Sequence, residues 1–303
     1  MGRPRDERGG EAVLPPAWRG APDRVDEVLV AGRALARRTA VDVLLAQLAP
    51  GTHDVAANVR EACQLVAEHH VPIVAELYLQ LYALRGIEPV DAAAAGGALA
   101  ALRDCAGRHA TALIVGTAIR ETAGSPPMAN AVLCIDEPGE LAAIYRKVHF
   151  FGAERRFFSS GGEYVVVTLA GVAVGLLVCY DLDFPEAARA AAAAAGAELL
   201  ATVSANMDPC AHDNALYART RAVENRVPHV YVNAVGQEGR VRFFGGSTVV
   251  DVAGSPVAEL GGDEHAVRIV TVPQRLEPGD PRPTYLAERR PRVPVRVVSP
   301  LRH

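Results

Sequence analysis

From residue 41 onward the apolar positions recur in two alternating rhythms. Residues 41–47 form a short apolar run that predicts a strand. Val59, Ala62, Cys63 and Val66 then fall at i, i+3, i+4 and i+7, one face of a helix. Residues 71–75 predict a second strand, and Ala95, Leu99, Leu102 and Ala106 mark a second helix. Strands follow at 112–118, 130–135 and 141–145, with Glu137-Pro138-Gly139-Glu140 as the turn between the last two. Residues 165–169 and 172–179 read as strands on either side of Ala170-Gly171, and Pro185 opens an Ala-rich helix to residue 195. Proline suits that first helical position because its missing N–H is not needed there. A strand at 199–204, a helix at 214–225, and strands at 229–234, 247–252 and 266–272 complete the pattern. Helices interleaved with apolar strands predict a layered α/β domain. The mixture of hairpins and crossovers argues against a purely parallel, doubly wound sheet.

Composition narrows the class. Of 303 residues 50% are hydrophobic and 22% charged, which excludes a disordered, collagen-like or coiled-coil chain. A net charge of -4 argues against binding nucleic acid or an anionic membrane through bulk charge. No apolar run approaches the roughly 20 residues of a membrane span. Residues 1–39, which hold Trp18 and a short helical stretch at 25–38, read as an N-terminal extension. Residues 40–275 carry the α/β domain, and 276–303 form a Pro- and Arg-rich C-terminal arm expected at a subunit interface. Five cysteines without a C-x-x-C pair or zinc-like spacing to histidine exclude a complete disulfide framework. With no apolar core near the start to make a signal peptide, a reducing, cytoplasmic setting is the expectation.

Three residues change the picture from class to chemistry. Cys179 ends an apolar strand and precedes Tyr-Asp-Leu-Asp-Phe-Pro-Glu and a helix. At such a strand-to-helix turn, backbone N–H groups favour a thiolate and an oxyanion. Glu76 directly follows a strand and is flanked by apolar residues, where an isolated charge is expensive and needs a partner. Lys147 also lies just beyond a strand, and it is the only lysine among 31 Lys plus Arg. A surface site would have tolerated arginine as every other basic position does. Carboxylate, thiol and ammonium have complementary roles: base, nucleophile and stabiliser of a tetrahedral intermediate.

With these residues in this order the chain resembles the nitrilase superfamily of carbon–nitrogen hydrolases. The likeness spans residues 41–290 and includes Ala-Glu76-Leu-Tyr-Leu-Gln-Leu-Tyr82, Tyr145-Arg-Lys147-Val-His-Phe-Phe with Glu154 and Phe158 downstream, and Cys179-Tyr-Asp-Leu-Asp-Phe-Pro-Glu. It continues through Arg221-Ala-Val-Glu224-Asn225 and Gly245-Gly-Ser-Thr. The resemblance implies a four-layer-forming α-β-β-α sandwich, dimerising through helices next to the active site. It also implies covalent catalysis through a thioester, with no metal or cofactor. It marks Glu76, Lys147 and Cys179 as the triad, Glu154 as a second, supporting glutamate, and the backbone N–H of Tyr180 as an oxyanion donor beside Lys147.

Two departures stand out: Ala75 replaces the family's proline, and Gln80-Leu81 replaces Thr-Gly before Tyr82. They bear on substrate range more than on chemistry. The segment after the cysteine resembles amidase branches, because true nitrilases carry Cys-Trp-Glu there. Asn206-Met-Asp-Pro resembles amidases acting on short amino-amides, and Tyr82, Asn206 and Met207 are expected to wall the pocket. The expectation is hydrolysis of a small linear amide, with a carbamoyl substrate as the alternative and a silent scaffold as the remote one. The implied partners are that small molecule and further copies of this chain, as a homodimer or higher homo-oligomer.

Overall fold

The computed structural model describes residues 40–49, 54–69, 72–74, 78–80, 82, 84, 87–92, 96–121, 125–273 and 285–288. The expected helical stretch at 25–38 and the arm at 276–303, except for 285–288, lie outside them.

The strands are apolar on both faces because both faces are covered. In β1 (Ala40–Gln47), Val41, Val43 and Leu45 face one core, while Leu44 and Ala46 face another. This strand sits inside a six-stranded sheet ordered β14-β1-β2-β3-β4-β5. Its other members are β2 (Pro72–Val74), β3 (Leu113–Arg120), β4 (Met128–Ile135), β5 (Leu141–Arg146) and β14 (Ala266–Pro273). The second six-stranded sheet runs β13-β12-β9-β8-β7-β6. It comprises β6 (Val166–Leu169), β7 (Val172–Val178), β8 (Leu199–Ser204), β9 (His229–Asn233), β12 (Thr248–Val250) and β13 (Pro256–Glu259). Both sheets are mixed: β7, β8 and β9 are parallel, whereas β6 and β12 pair antiparallel to them.

The sheets pack face to face over a core that includes Val43, Ile114, Val132 and Tyr145 from one and Val174, Leu176, Val203 and Val232 from the other. Helices α1 (Val55–Glu68) and α2 (Ala98–His109) cover the outer face of the first sheet. Helices α3 (Pro185–Ala194) and α4 (Ala211–Asn225) cover the second. The result is the α-β-β-α sandwich that the family resemblance implies. The alanines of α3 have a steric reason: a Cβ on Gly175 of β7 would lie 2.8 Å from the Cβ of Ala191, so helix and strand approach at backbone range.

Some elements differ from the periodicity reading. The strand expected at 172–179 stops at Val178, because Cys179 turns to φ 47° and opens a 3₁₀ turn. Helix α4 starts at Ala211, three residues before the expected 214. A two-stranded hairpin of β10 (Val235–Glu238) and β11 (Val241–Phe244) carries too little alternation to be seen in the sequence, as does the edge strand β13. A short helix α5 (Tyr285–Glu288) brings Tyr285 against the guanidinium of Arg226.

Candidate active site

Lys147 follows β5 and extends its pairing, with its N–H donating to the carbonyl of Asn130 at 2.8 Å. Its ammonium is fully buried and lies 2.9 Å from Oε1 of Glu154, which is equally buried. Glu154 starts a 3₁₀ turn (Glu154–Arg156). The same Oε1 accepts the Tyr82 hydroxyl at 2.7 Å, and Oε2 accepts the Phe151 N–H at 2.9 Å. A buried charge is tolerable only with a partner and full hydrogen bonding, and this carboxylate has both. The neighbouring Arg155 and Arg156, obvious candidates for a surface ion pair, are not what holds it; Lys147 is.

Cys179 sits where β7 ends and is 4% exposed. Its positive φ is costly for any residue but glycine and turns the side chain out of the strand's alternation. The sulfur lies 3.2 Å from Oδ1 of Asn206, two residues past the end of β8. Asn206 is held by its neighbours: its N–H donates to Asn233 Oδ1 at 2.7 Å, and its Nδ2 donates to Asn214 Oδ1 and Tyr231 Oη.

Asp181 ties the lysine segment to the cysteine turn. Its carboxylate is fully buried and accepts from the Val178 N–H, the Tyr145 hydroxyl, the His149 N–H and His149 Nδ1. Tyr145 belongs to the first sheet and Val178 to the second, so one carboxylate fastens both strand ends. His149 also stacks on Phe184 at 3.7 Å, which makes it a half-buried ring with partners rather than a free base.

The remaining expected residues fall around these two groups. Tyr180 lies in the first turn after Cys179, and its ring meets Phe151 and Phe184 edge-on. Met207 forms a bridge with Phe243 of β11, whose ring in turn meets Tyr82 edge-on. Tyr82 also takes Glu238 of the hairpin on its own N–H at 3.1 Å. Glu76 lies outside the described residues. Gln80, one of the departures in that loop, is not a pocket side chain. Its amide accepts from the Ala118 N–H and donates to the Ala118 carbonyl, stitching the loop to β3.

Charges near the cysteine turn are predominantly acidic. Burial pushes the Asp183 carboxyl up to about 6, against the opposing pull of Arg221 and Lys147. Arg221 donates to the Leu182 and Asp183 carbonyls, so α4 supports the turn from below. Arg189 and Arg221 both meet Glu224 as structural ion pairs. The roles of Asp181, Asn214 and Asn233 left no separate signal in the sequence, where they are ordinary polar residues beside more conspicuous ones. Among the described residues no group of three or more His, Cys, Asp or Glu side chains is arranged to hold a metal ion.

A model of the carbon–nitrogen hydrolase family matches residues 43–278. The chain belongs to that family. This carbon–nitrogen hydrolase is 35% identical over 277 residues to a protein of Pseudomonas protegens described as a hydrolase in the pqqF 5' region, covering 87% of this chain and 94% of that one. An (R)-stereoselective amidase from Pseudomonas sp. is 42% identical over 136 residues, 44% of this chain and 49% of its own length. Among solved structures, the Nesterenkonia AN1 amidase of the nitrilase superfamily aligns at a TM-score of 0.72 with 29% identity, covering 84% of this chain and 97% of that one. In another structure of that amidase the acetamide moiety of fluoroacetamide is attached covalently at the active-site cysteine. This carbon–nitrogen hydrolase is an amidase-type enzyme acting on carbon–nitrogen bonds other than peptide bonds. Among its described residues no helix is long and apolar enough to cross a membrane.

Proposed function

We propose that the protein hydrolyses small linear amides to carboxylate and ammonia through a thioester on Cys179. The observation that carries this reading is the buried Lys147–Glu154 pair, completed by Tyr82 and fastened through Asp181 to the turn that bears Cys179. A buried, fixed ammonium presents N–H donors where an oxyanion develops, which is what acyl transfer requires.

In this mechanism the Glu76 carboxylate takes the S–H proton as sulfur bonds to the amide carbon. The carbonyl electron pair moves to oxygen and is met by Lys147 and the backbone N–H of Tyr180. Collapse breaks the C–N bond, the nitrogen leaves as ammonia with the proton from Glu76, and a thioester remains. Water, deprotonated by Glu76, attacks that thioester; the C–S bond breaks, the carboxylate is freed and the Cys179 sulfur regains its proton from Glu76. Glu154 and Tyr82 act on Lys147, holding its ammonium charged and in place, while Asn206 and Met207 contribute to the wall around the acyl group. The amidase names of the relatives support an amide rather than a nitrile as substrate.

The test is ammonia release from a panel of short aliphatic amides and ureido acids, with hydroxylamine present to trap an acyl-enzyme as hydroxamate. Ammonia without carbon dioxide, hydroxamate formation, and loss of both in Cys179→Ala are the expected results. Carbon dioxide released together with ammonia from a ureido acid would make the enzyme a carbamoyl hydrolase. No turnover and no adduct across the panel would leave only a scaffold.

A further inference from the structure

Asn206 faces the sulfur with its oxygen, and the surrounding amides leave it no other choice. The chain of orientation starts at a backbone carbonyl. The oxygen of Cys210 can only accept, so the amide group that meets it at 2.9 Å must be the Nδ2 of Asn214. That turns Asn214 Oδ1 toward Asn206, where it accepts Nδ2 at 2.5 Å. A second donor position of Asn206 Nδ2 meets the Tyr231 hydroxyl at 3.2 Å, and Tyr231 in turn leans toward Ser204 Oγ. Asn206 Oδ1 is thereby left pointing at Cys179 Sγ, 3.2 Å away. The backbone of Asn206 cannot swing to relieve this. Asn233 clamps both its N–H and its carbonyl, and Asn233 is itself oriented by the Gly245 carbonyl at 2.9 Å.

An amide oxygen at this distance accepts a hydrogen bond from a thiol and presents the negative end of its dipole to a thiolate. An asparagine able to turn over would instead offer N–H groups and favour the thiolate. We propose that Asn206, locked by Asn214, is a positioning residue that holds the nucleophile as a neutral thiol until an amide is bound. Its deprotonation is thus coupled to attack on the substrate. This rests on Cys179 being the nucleophile, as argued above. The resting sulfur is thereby kept a poor target for alkylating and oxidising reagents, whose attack follows the thiolate.

Charged groups of both signs surround the turn. Lys147 is already paired with Glu154. The turn itself carries Asp181, committed to Val178, Tyr145 and His149, and the half-buried Asp183. From α4 come Arg221, bonded to the Leu182 and Asp183 carbonyls, and Asp213, with Cys210 just before the helix and Glu186 at the start of α3. The sequence adds the Glu76 carboxylate. None of these groups is substituted in the Asn206 or Asn214 variants.

The experiment is the pH dependence of iodoacetate labelling at Cys179, read by peptide mass spectrometry in the full chain with a reagent that carries no amide. In the unaltered protein the labelling midpoint is expected at or above the free-cysteine value of about 8.5. Asn206→Leu removes the facing oxygen, and Asn214→Leu frees Asn206 to turn its N–H groups to the sulfur. Each should lower the midpoint by about one unit and raise labelling at pH 7 about tenfold. A midpoint well below that of free cysteine in the unaltered protein overturns the proposal. So does an unmoved or raised midpoint in a variant whose circular dichroism spectrum is native. If neither variant folds, the midpoint of the unaltered protein decides alone. Failure of the amide panel with a high, asparagine-dependent midpoint would reject the proposed substrate and leave this inference standing.

Discussion

Lys147 Nζ and Glu154 Oε1 meet at 2.9 Å with no solvent reaching either side chain. Removing one member of such a pair strands the other charge in a low-dielectric site, typically at about 3–5 kcal/mol. Lys147→Met is therefore expected to be strongly destabilised, measurable by urea denaturation. Lys147→Arg keeps the charge but brings a larger planar fork into a filled site, and should lower kcat by at least about a hundredfold. An arginine variant with near-normal turnover would refute the assignment of this residue.

The Tyr82 hydroxyl donates to the same carboxylate oxygen at 2.7 Å. Hydrogen bonds to charged groups contribute about 1.5–3 kcal/mol, so Tyr82→Phe should lower stability by that order. Because Glu154 then holds Lys147 less firmly, kcat should fall more than KM rises. A variant with unchanged denaturation midpoint and unchanged kcat would detach Tyr82 from the site.

Cys179 occupies a left-handed conformation at φ 47°. A residue with a Cβ is disfavoured there by about 1–2 kcal/mol, whereas glycine is not. Cys179→Gly should thus be more stable than Cys179→Ala by about 1 kcal/mol, the reverse of their order in a regular strand. Both should be inactive. Thermal unfolding of the two variants side by side provides the comparison.

One half-buried and one fully buried group set opposing slopes of stability against pH. Burial pushes Asp183 from 3.8 up to about 6, so the native state keeps a proton that the unfolded chain sheds, and stability falls as pH rises through this window. Burial pushes His229 from 6.5 down to about 4, with Nδ1 donating to the Ala218 carbonyl and Nε2 facing Thr202 Oγ1. The unfolded chain then takes up a proton that the native state refuses, and stability is lost as pH falls from 6.5 towards 4. Asp183→Asn should unmask a stability that rises with pH between about 4 and 6.5, and His229→Asn one that declines there. Urea denaturation from pH 4 to 8 reads both slopes. Curves parallel to that of the unaltered protein would show that neither group titrates as stated.

The order of elements was legible because each strand and helix writes its burial into its own sequence. In β1 an unbroken apolar run predicted the strand, and in α3 a run of alanines after Pro185 predicted the helix. The lone lysine was legible for a compositional reason: in a chain that uses arginine everywhere else, an ammonium has to be required to persist. The hairpin β10–β11 was not legible, since its residues are held by partners distant in sequence, such as Tyr82 and Met207, rather than by alternation of their own.

Sequence by itself determined the layered α/β class, the family, and which residue types stand at the strand ends. Tertiary structure alone decided their partnerships. Glu154 could have paired with either adjacent arginine, but the fold buries it beyond their reach and supplies Lys147 and Tyr82 instead. Asp181 and Asn206 look like any polar loop residues until two sheets bring Tyr145, His149 and Cys179 against them. The physical reason is that periodicity records which side of an element is buried, whereas hydrogen-bond direction depends on what the other layers place opposite it.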